Sequence, residues 1–295
     1  MSEGAFNAAA DRVPQFTGAR DPLTRASSLA FLLLVVTLSG PIAPMGIATA
    51  LCATLTLARW ARAPRPGWPR LPIERAAFAW LAALVLASVF AVDPAGSFPR
   101  ITKGFMPALV GLAAFHAADR RNGRRALAVY LAAAGLVAVI GFAIWYGKGH
   151  SYAWRAPGLS HHYMTFGGQL LLELSVALGV ALTARSARWR WGAVVVATVT
   201  TLALAATYTR SAWLGAFVSG LVLLAGVWPW GLALLAGCAA AAWRFAGGGL
   251  GARLHSMVDP TSGYNGERLR MWGAGWRKFR ADPLTGGGSQ DLRAV

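Results

Sequence analysis

Several small groups of polar and charged residues interrupt an otherwise apolar chain, and their types narrow the chemistry they could carry. The segment TYTRSAWLG, Thr207 to Gly215, sets Arg210 between two long apolar runs. An arginine at the centre of a membrane helix costs about 2.5 to 3.5 kcal/mol, and less near the interface. Arg210 therefore reads in one of two ways. It is an interfacial cation that snorkels and fixes a hairpin, or it is an anion site in which the hydroxyls of Thr207, Tyr208, Thr209 and Ser211 add donors suited to a phosphate. The segment RAPGLSHHYMTFGG, Arg155 to Gly168, gathers Arg155, Ser160, His161, His162 and Tyr163 beside glycines that let backbone or ligand approach closely. A histidine there could act as a general base near neutral pH or only donate a hydrogen bond. His161 and His162 are chain neighbours that point to different sides, which argues against a metal held by the pair.

Glu173 lies inside the next apolar run, about 10 residues and so roughly 15 Å along a helix from its outer end. Intramembrane acids are functional candidates by default. With Gln169 one turn earlier, Glu173 could equally make a polar packing contact, with Lys103 as its partner. Near the carboxyl end, Arg268 and Arg270 stand two apart beside Trp272 and ahead of PLTGGG. Their spacing alone supports only an interfacial helix, although cations at that level would stabilise charge developing on a leaving diphosphate.

These residues need an apolar frame to hold them. Of 295 residues 56% are hydrophobic and only 13% are charged, too little polar surface for a water-soluble globule of this size. Apolar stretches of about 15 to 22 residues recur, and a helix rising about 1.5 Å per residue needs roughly 20 to cross the hydrocarbon. The pattern predicts an all-α polytopic membrane protein with nine spans, at 26–40, 42–58, 76–92, 101–118, 126–147, 164–184, 191–208, 211–227 and 229–246. The motif SGPIAP, Ser39 to Pro44, is either a turn between the first two spans or a kink within one long helix.

Charge favours the turn. With two helices, the amino-terminal segment shares a side with the basic loops Arg59 to Arg75, Arg120 to Arg125 and Arg185 to Arg190, fifteen arginines in all. The opposite side then holds only Arg100, Lys148, Arg155 and Arg210, so the first side is expected to be cytoplasmic. Topology also accounts for the net charge of +17 better than a nucleic-acid partner does. Cys52 and Cys238 fall inside spans and read as small core residues, and the first apolar run reads as a retained anchor.

The expected organisation is a cytoplasmic segment 1–25, a membrane domain 26–246 and an outer polar tail 247–295. Within the tail, Leu269, Trp272, Trp276 and Phe279 at helical spacing, flanked by arginines and Lys278, predict a basic amphipathic helix stopped by Asp282-Pro283 and suited to a membrane surface. The chain ends on the outer side with no helix to bring it back.

Taken in order and on one expected face, RAPGLSHHYMTFGG, TRSAWLG and ERLRMWGAGWRKFRADPLTGGG resemble the family of O-antigen ligases and O-antigen polymerases. ASVFAVDPAGSFPR, Ala87 to Arg100, is similar to that family's outer loop after the third span, and the resemblance covers roughly residues 20 to 290. It implies a GT-C-like glycosyltransferase of the bacterial inner membrane, amino terminus cytoplasmic and tail periplasmic. Such an enzyme uses an undecaprenyl-diphosphate-linked glycan with no metal, nucleotide sugar or other cofactor.

By resemblance, Arg210 matches the arginine of the family's Ser-Arg hairpin, with Thr209 in place of the serine. Arg155 and His162 match the loop ahead of the sixth span, and Arg268 the arginine four residues before the tail tryptophan. The implied roles are diphosphate binding by Arg155, Arg210, Arg268 and Arg270, catalysis by Arg210 and His162, with His162 orienting acceptor or phosphate, and support from His161, Glu173 and Lys103. Family members carry a longer outer loop with a further histidine and then more spans, so a truncated member of impaired activity is expected. The implied reaction moves a finished glycan to a hydroxyl of lipid A-core, with inversion because the displacement is direct. The alternatives are the polymerase that joins lipid-linked repeat units and, from another class, a membrane transporter. Against the transporter stand the absence of an inverted repeat and of paired Gly/Pro-broken spans.

Overall fold

The computed structural model describes residues 21–62, 74–91, 93–99, 106–256, 263–281 and 283. Every regular element among them is helical: α1 Pro22–Thr37, α2 Ile42–Ala61, α3 Glu74–Val89, α4 Pro94–Ser97, α5 Met106–Ala117, α6 Arg120–Gly147, α7 Tyr163–Thr183, α8 Ala187–Ala206, α9 Arg210–Val227, α10 Gly231–Phe245, α11 Gly248–His255 and α12 Gly263–Ala281. Each apolar stretch expected to span overlaps one of these helices. Five of them, α2, α6, α7, α8 and α9, are long and apolar enough to cross a membrane, whereas α1, α10 and residues Arg75–Val89 of α3 are apolar but shorter.

The SGPIAP motif is a turn. Helix α1 stops at Thr37, the Gly40 N–H donates to the Thr37 carbonyl at 3.0 Å, and α2 begins at Ile42 with Pro44 in its first turn, where a missing N–H costs nothing.

The described residues fall into two compact units, one from 21–59 and 120–256, the other from 60–119 and 263–283. In the first, α7 packs on α6, α8 and α9, and α1 packs on α6. The contact faces are built from small residues: Ala134 and Ala138 of α6, Ala177 of α7 and Ala203 of α8 are fully buried. Large side chains such as Leu136, Leu172, Leu202 and Val222 point outward instead. Small inside and large outside is the arrangement expected where lipid leaves no hydrophobic drive between helices and close backbone approach holds them. Several hydroxyls on these helices turn back on their own chain, as Ser175 does to the Leu171 carbonyl at 2.8 Å, whereas Ser219 of α9 donates to the Ser175 hydroxyl of α7 at 2.8 Å and the buried Thr200 hydroxyl of α8 makes no hydrogen bond among the described residues.

Larger side chains also enter this interior, among them Leu170, Leu174, Leu204 and Phe166. Phe166, in the first turn of α7, is fully buried between Gly141 of α6 and Gly158 of the α6–α7 link, and a Cβ on either glycine would collide with its ring. The pair Gln169 and Gly40 makes the second fixed contact, with the Gln169 amide donating to the Gly40 carbonyl at 2.8 Å and so tying α7 to the α1–α2 turn. Gln169→Leu strands that carbonyl and is expected to cost about 1 to 3 kcal/mol, measured as loss of resistance to denaturant in detergent. An unchanged midpoint would show that the tie contributes nothing.

In the second unit, the Asp93 carboxylate caps the short α4 by accepting from the Gly96 N–H at 3.0 Å, with Pro94 in the first turn. His116 of α5 is buried edge-on against Phe115 at 5.4 Å, a packing position. Helix α12 covers the stretch expected to be amphipathic, and Leu269, Trp272, Trp276 and Phe279 are all exposed along it.

Candidate functional site

The link between α6 and α7 consists of two 3-10 turns, Tyr152–Trp154 and Gly158–Ser160. Gly158 and His161 both have φ of 57°, which reverses the chain into α7 and leaves His162 as the extended residue before its first turn. The α8–α9 hairpin turns on Tyr208, with φ of 51°. Two hydrogen bonds join link and hairpin: the Ala156 N–H donates to the Ala206 carbonyl at 3.0 Å, and the Thr209 hydroxyl donates to the Tyr163 carbonyl at 3.3 Å. Gly167 permits this approach, since a Cβ there would stand 3.0 Å from the Thr209 side chain. Arg155 and Arg210, distant in the chain, therefore sit on one rigid frame.

Two of the hairpin hydroxyls, those of Thr207 and Thr209, are engaged within the protein. Thr207 and Thr209 are buried, and the Thr207 hydroxyl donates to the Leu204 carbonyl at 2.8 Å while accepting from the Thr209 N–H at 3.2 Å. A buried hydroxyl in apolar surroundings takes the nearest carbonyl, so these two shape the turn instead of facing an anion. Ser211 stays exposed, and the Tyr208 ring packs against Tyr152 at 5.4 Å and Trp213 at 6.3 Å.

Around that frame the cations gather on aromatic rings. The Arg155 guanidinium lies 4.4 Å from the Tyr152 ring centre and 4.5 Å from that of Tyr163, and it donates to the Tyr152 hydroxyl. Arg253 of α11 lies 5.0 Å from the same Tyr152 ring. Arg210 donates through Nη1 to the Ser256 carbonyl and, at 3.0 Å, to its hydroxyl, which itself donates to the Arg253 carbonyl at 2.8 Å. Three arginines from three segments are thus placed by stacking and hydrogen bonds. Helices α7 and α9 also begin at this frame, and their amino-terminal dipoles add positive potential. The arrangement suits an anion.

His162 comes into the same neighbourhood, exposed and stacked on the Tyr163 ring at 4.9 Å, while His161 is exposed beside it. Glu173 does not. It is 1% exposed, deeper in α7, with Ser39 and Tyr130 beside it, and its Oε2 accepts no hydrogen bond among the described residues. Lys103, its expected partner, lies outside the described residues, and the neighbouring Gln169 amide is engaged by Gly40. Arg268 and Arg270 belong to α12 in the other unit, both exposed, and their two-residue spacing turns them to different sides of that helix.

Arg253 has no motif of its own. The available signal is the glycine run after α10, from which the chain re-enters a short helix carrying a cation in its last turn. Next to α11, an apolar cavity of about 480 Å³ opens between α7, α8, α9 and α10, with Trp213, Phe217, Leu235 and Leu254 among its walls.

Residues 193–294, which include the hairpin, Arg210, Arg253 and α12, match the family model described as O-antigen ligase. No curated protein and no solved structure matches the chain.

Proposed function

Residues 193–294 carry the signature of the O-antigen ligase family, and from that premise we propose that the chain transfers a glycan from undecaprenyl diphosphate to a sugar hydroxyl of lipid A-core. The observation that carries this reading is the joining of Arg155 and Arg210 on one frame through the Ala156–Ala206 and Thr209–Tyr163 hydrogen bonds. Two forked cations beside the starts of two helices suit a diphosphate, whose leaving oxygen gains charge as the glycosidic bond breaks.

In the proposed step the acceptor oxygen bonds to the anomeric carbon from the side opposite the diphosphate. The diphosphate leaves as an anion with the bonding electrons and is held by Arg155 and Arg210, the proton of the acceptor hydroxyl passes to solvent, and the anomeric configuration inverts. His162 orients the acceptor hydroxyl or a phosphate, and holding both reactants in register supplies much of the acceleration. Arg268 and Arg270 add charge from the membrane surface on which α12 lies, and His161, Glu173 and Lys103 support the frame. The apolar cavity beside Leu254 favours a prenyl-chain substrate. The topology that goes with this reading has nine spans in the bacterial inner membrane. Segment 1–25 is cytoplasmic, 26–246 forms the membrane domain, and 247–295 is periplasmic.

The same geometry suits the polymerase, which joins lipid-linked repeat units, and acceptor dependence separates the two. Full-length chain in proteoliposomes, given undecaprenyl-diphosphate glycan, is expected to label lipid A-core and to leave the donor unextended when lipid A-core is omitted. Lengthening of the donor alone would make it a polymerase. A product with retained anomeric configuration would sink direct displacement.

A further inference from the structure

We infer that two arginine-walled cavities, at the end of the α6–α7–α8 bundle remote from Arg155 and Arg210, form a binding site for the headgroup of an anionic phospholipid. The inference is independent of the glycan-transfer reading, because α6, 28 residues and so about 42 Å long, separates the two ends. One cavity, of about 430 Å³, lies between the first turns of α6 and the α7–α8 turn, with Arg124, Arg185, Ser186, Leu127 and Val180 among its walls. The other, of about 500 Å³, is walled by Arg120, Arg121, Arg124, Arg125 and Ala128. Arg124 and Trp189 of α8 line both, so the cavities are neighbours across one guanidinium and one indole.

The chemistry of the walls selects the occupant. Guanidinium forks bind phosphoryl oxygens bidentately, and among the described residues no carboxylate lines either cavity. A zwitterionic headgroup would bring its ammonium among guanidiniums with no acid to receive it, whereas a phosphoglycerol headgroup brings only negative charge and hydroxyls. Helices α6 and α8 both start here, and the Ser186 hydroxyl makes no cap bond to α8, which adds positive potential at the same level. Toward the bundle the walls turn apolar. Leu127, Val180 and Trp189 pack against the buried core, and α6, α7 and α8 are each long and apolar enough to cross a membrane. Acyl chains can follow those side chains while the phosphate stays with the cations, which suits a lipid better than a free phosphate. Bound there, the lipid bridges α6 to the α7–α8 turn.

The test uses the full chain in a neutral detergent, with phosphatidylglycerol, phosphatidylethanolamine and glycerol phosphate as probes and equilibrium affinity as the reading. The wild type is expected to bind phosphatidylglycerol at least about tenfold more tightly than either of the others. Arg124→Ala, which removes the cation common to both cavities, is expected to weaken that binding about tenfold. Arg188→Ala, at an exposed arginine in the first turn of α8 that lines neither cavity, should change it less than about twofold. Thr183→Trp fills the first cavity from an exposed position without altering any charge and should match Arg124→Ala, so the proposal stays testable if that variant fails to fold. Equal losses from Arg124→Ala and Arg188→Ala would mean diffuse attraction to a basic surface and would overturn the site. Phosphatidylethanolamine bound as tightly as phosphatidylglycerol would overturn it as well. Glycerol phosphate bound as tightly as the lipid would overturn the lipid as occupant and make the ligand a free phosphate ester.

Discussion

Arg210→Ala is expected to weaken binding of undecaprenyl diphosphate by about 100-fold while the protein remains inserted and expressed. Truncating one partner of a hydrogen-bonded charge pair costs about 2 to 5 kcal/mol, and here the change removes a cation and also releases its hold on Ser256. Insertion should survive because the hairpin turn is built by Thr207, Tyr208 and Thr209, not by the arginine. Equilibrium binding in detergent, read beside expression and gel-filtration profiles, checks both halves. Unchanged affinity would return Arg210 to an interfacial cation that anchors the hairpin.

The largest expected loss of stability is at Phe166. Phe166→Ala empties the space between Gly141 and Gly158, where neither neighbour has a side chain to move in, and a deletion of this kind costs about 3 to 5 kcal/mol. A fall of roughly 10 °C in the midpoint of thermal unfolding is the expected reading. The loop bearing Arg155 should loosen with it, because the ring holds Gly158 against α6. Gly158→Ala should act in the same direction, since it brings both a collision with Phe166 and a left-handed backbone that alanine resists. Melting that is indifferent to both changes would show that the ring is not the pin.

What was legible in the sequence depended on the range of the interaction. The apolar helices can be read because each rests on a long local run of apolar residues, and the turn at Ser39 to Pro44 can be read because arginines on either side report which loops share a face. The meeting of Arg155 and Arg210 is suggested in the sequence only by their expected common face, and it is made by one backbone hydrogen bond and one from the Thr209 hydroxyl to a backbone carbonyl, whose acceptors no side-chain pattern announces. The turn-building role of Thr207 and Thr209 is hidden in the sequence for a related reason. A threonine beside an arginine suggests a phosphate site, but its hydroxyl answers to the nearest buried carbonyl. Arg253 escaped altogether, since what gives it a place is a ring on another segment and the Ser256 bond to Arg210. Gln169 was recognised as polar inside an apolar run, but its partner, a backbone carbonyl in the α1–α2 turn, bears no residue signature.

Helix α10 is only 15 residues long, about 22 Å, against a hydrocarbon layer of roughly 30 Å. Under the proposed nine-span topology, a bilayer that meets it must thin locally or leave its ends under-covered, at a cost of a fraction of a kcal/mol for each Å of mismatch. Because α10 supplies Leu235 and Ala239 to the wall of the apolar cavity, the thinned annulus would lie beside that cavity and draw lipid headgroups toward the level of α11. On the proposed reading, local bilayer thickness becomes a variable of the site, because it sets how far a lipid-borne phosphate must travel to reach Arg155 and Arg210.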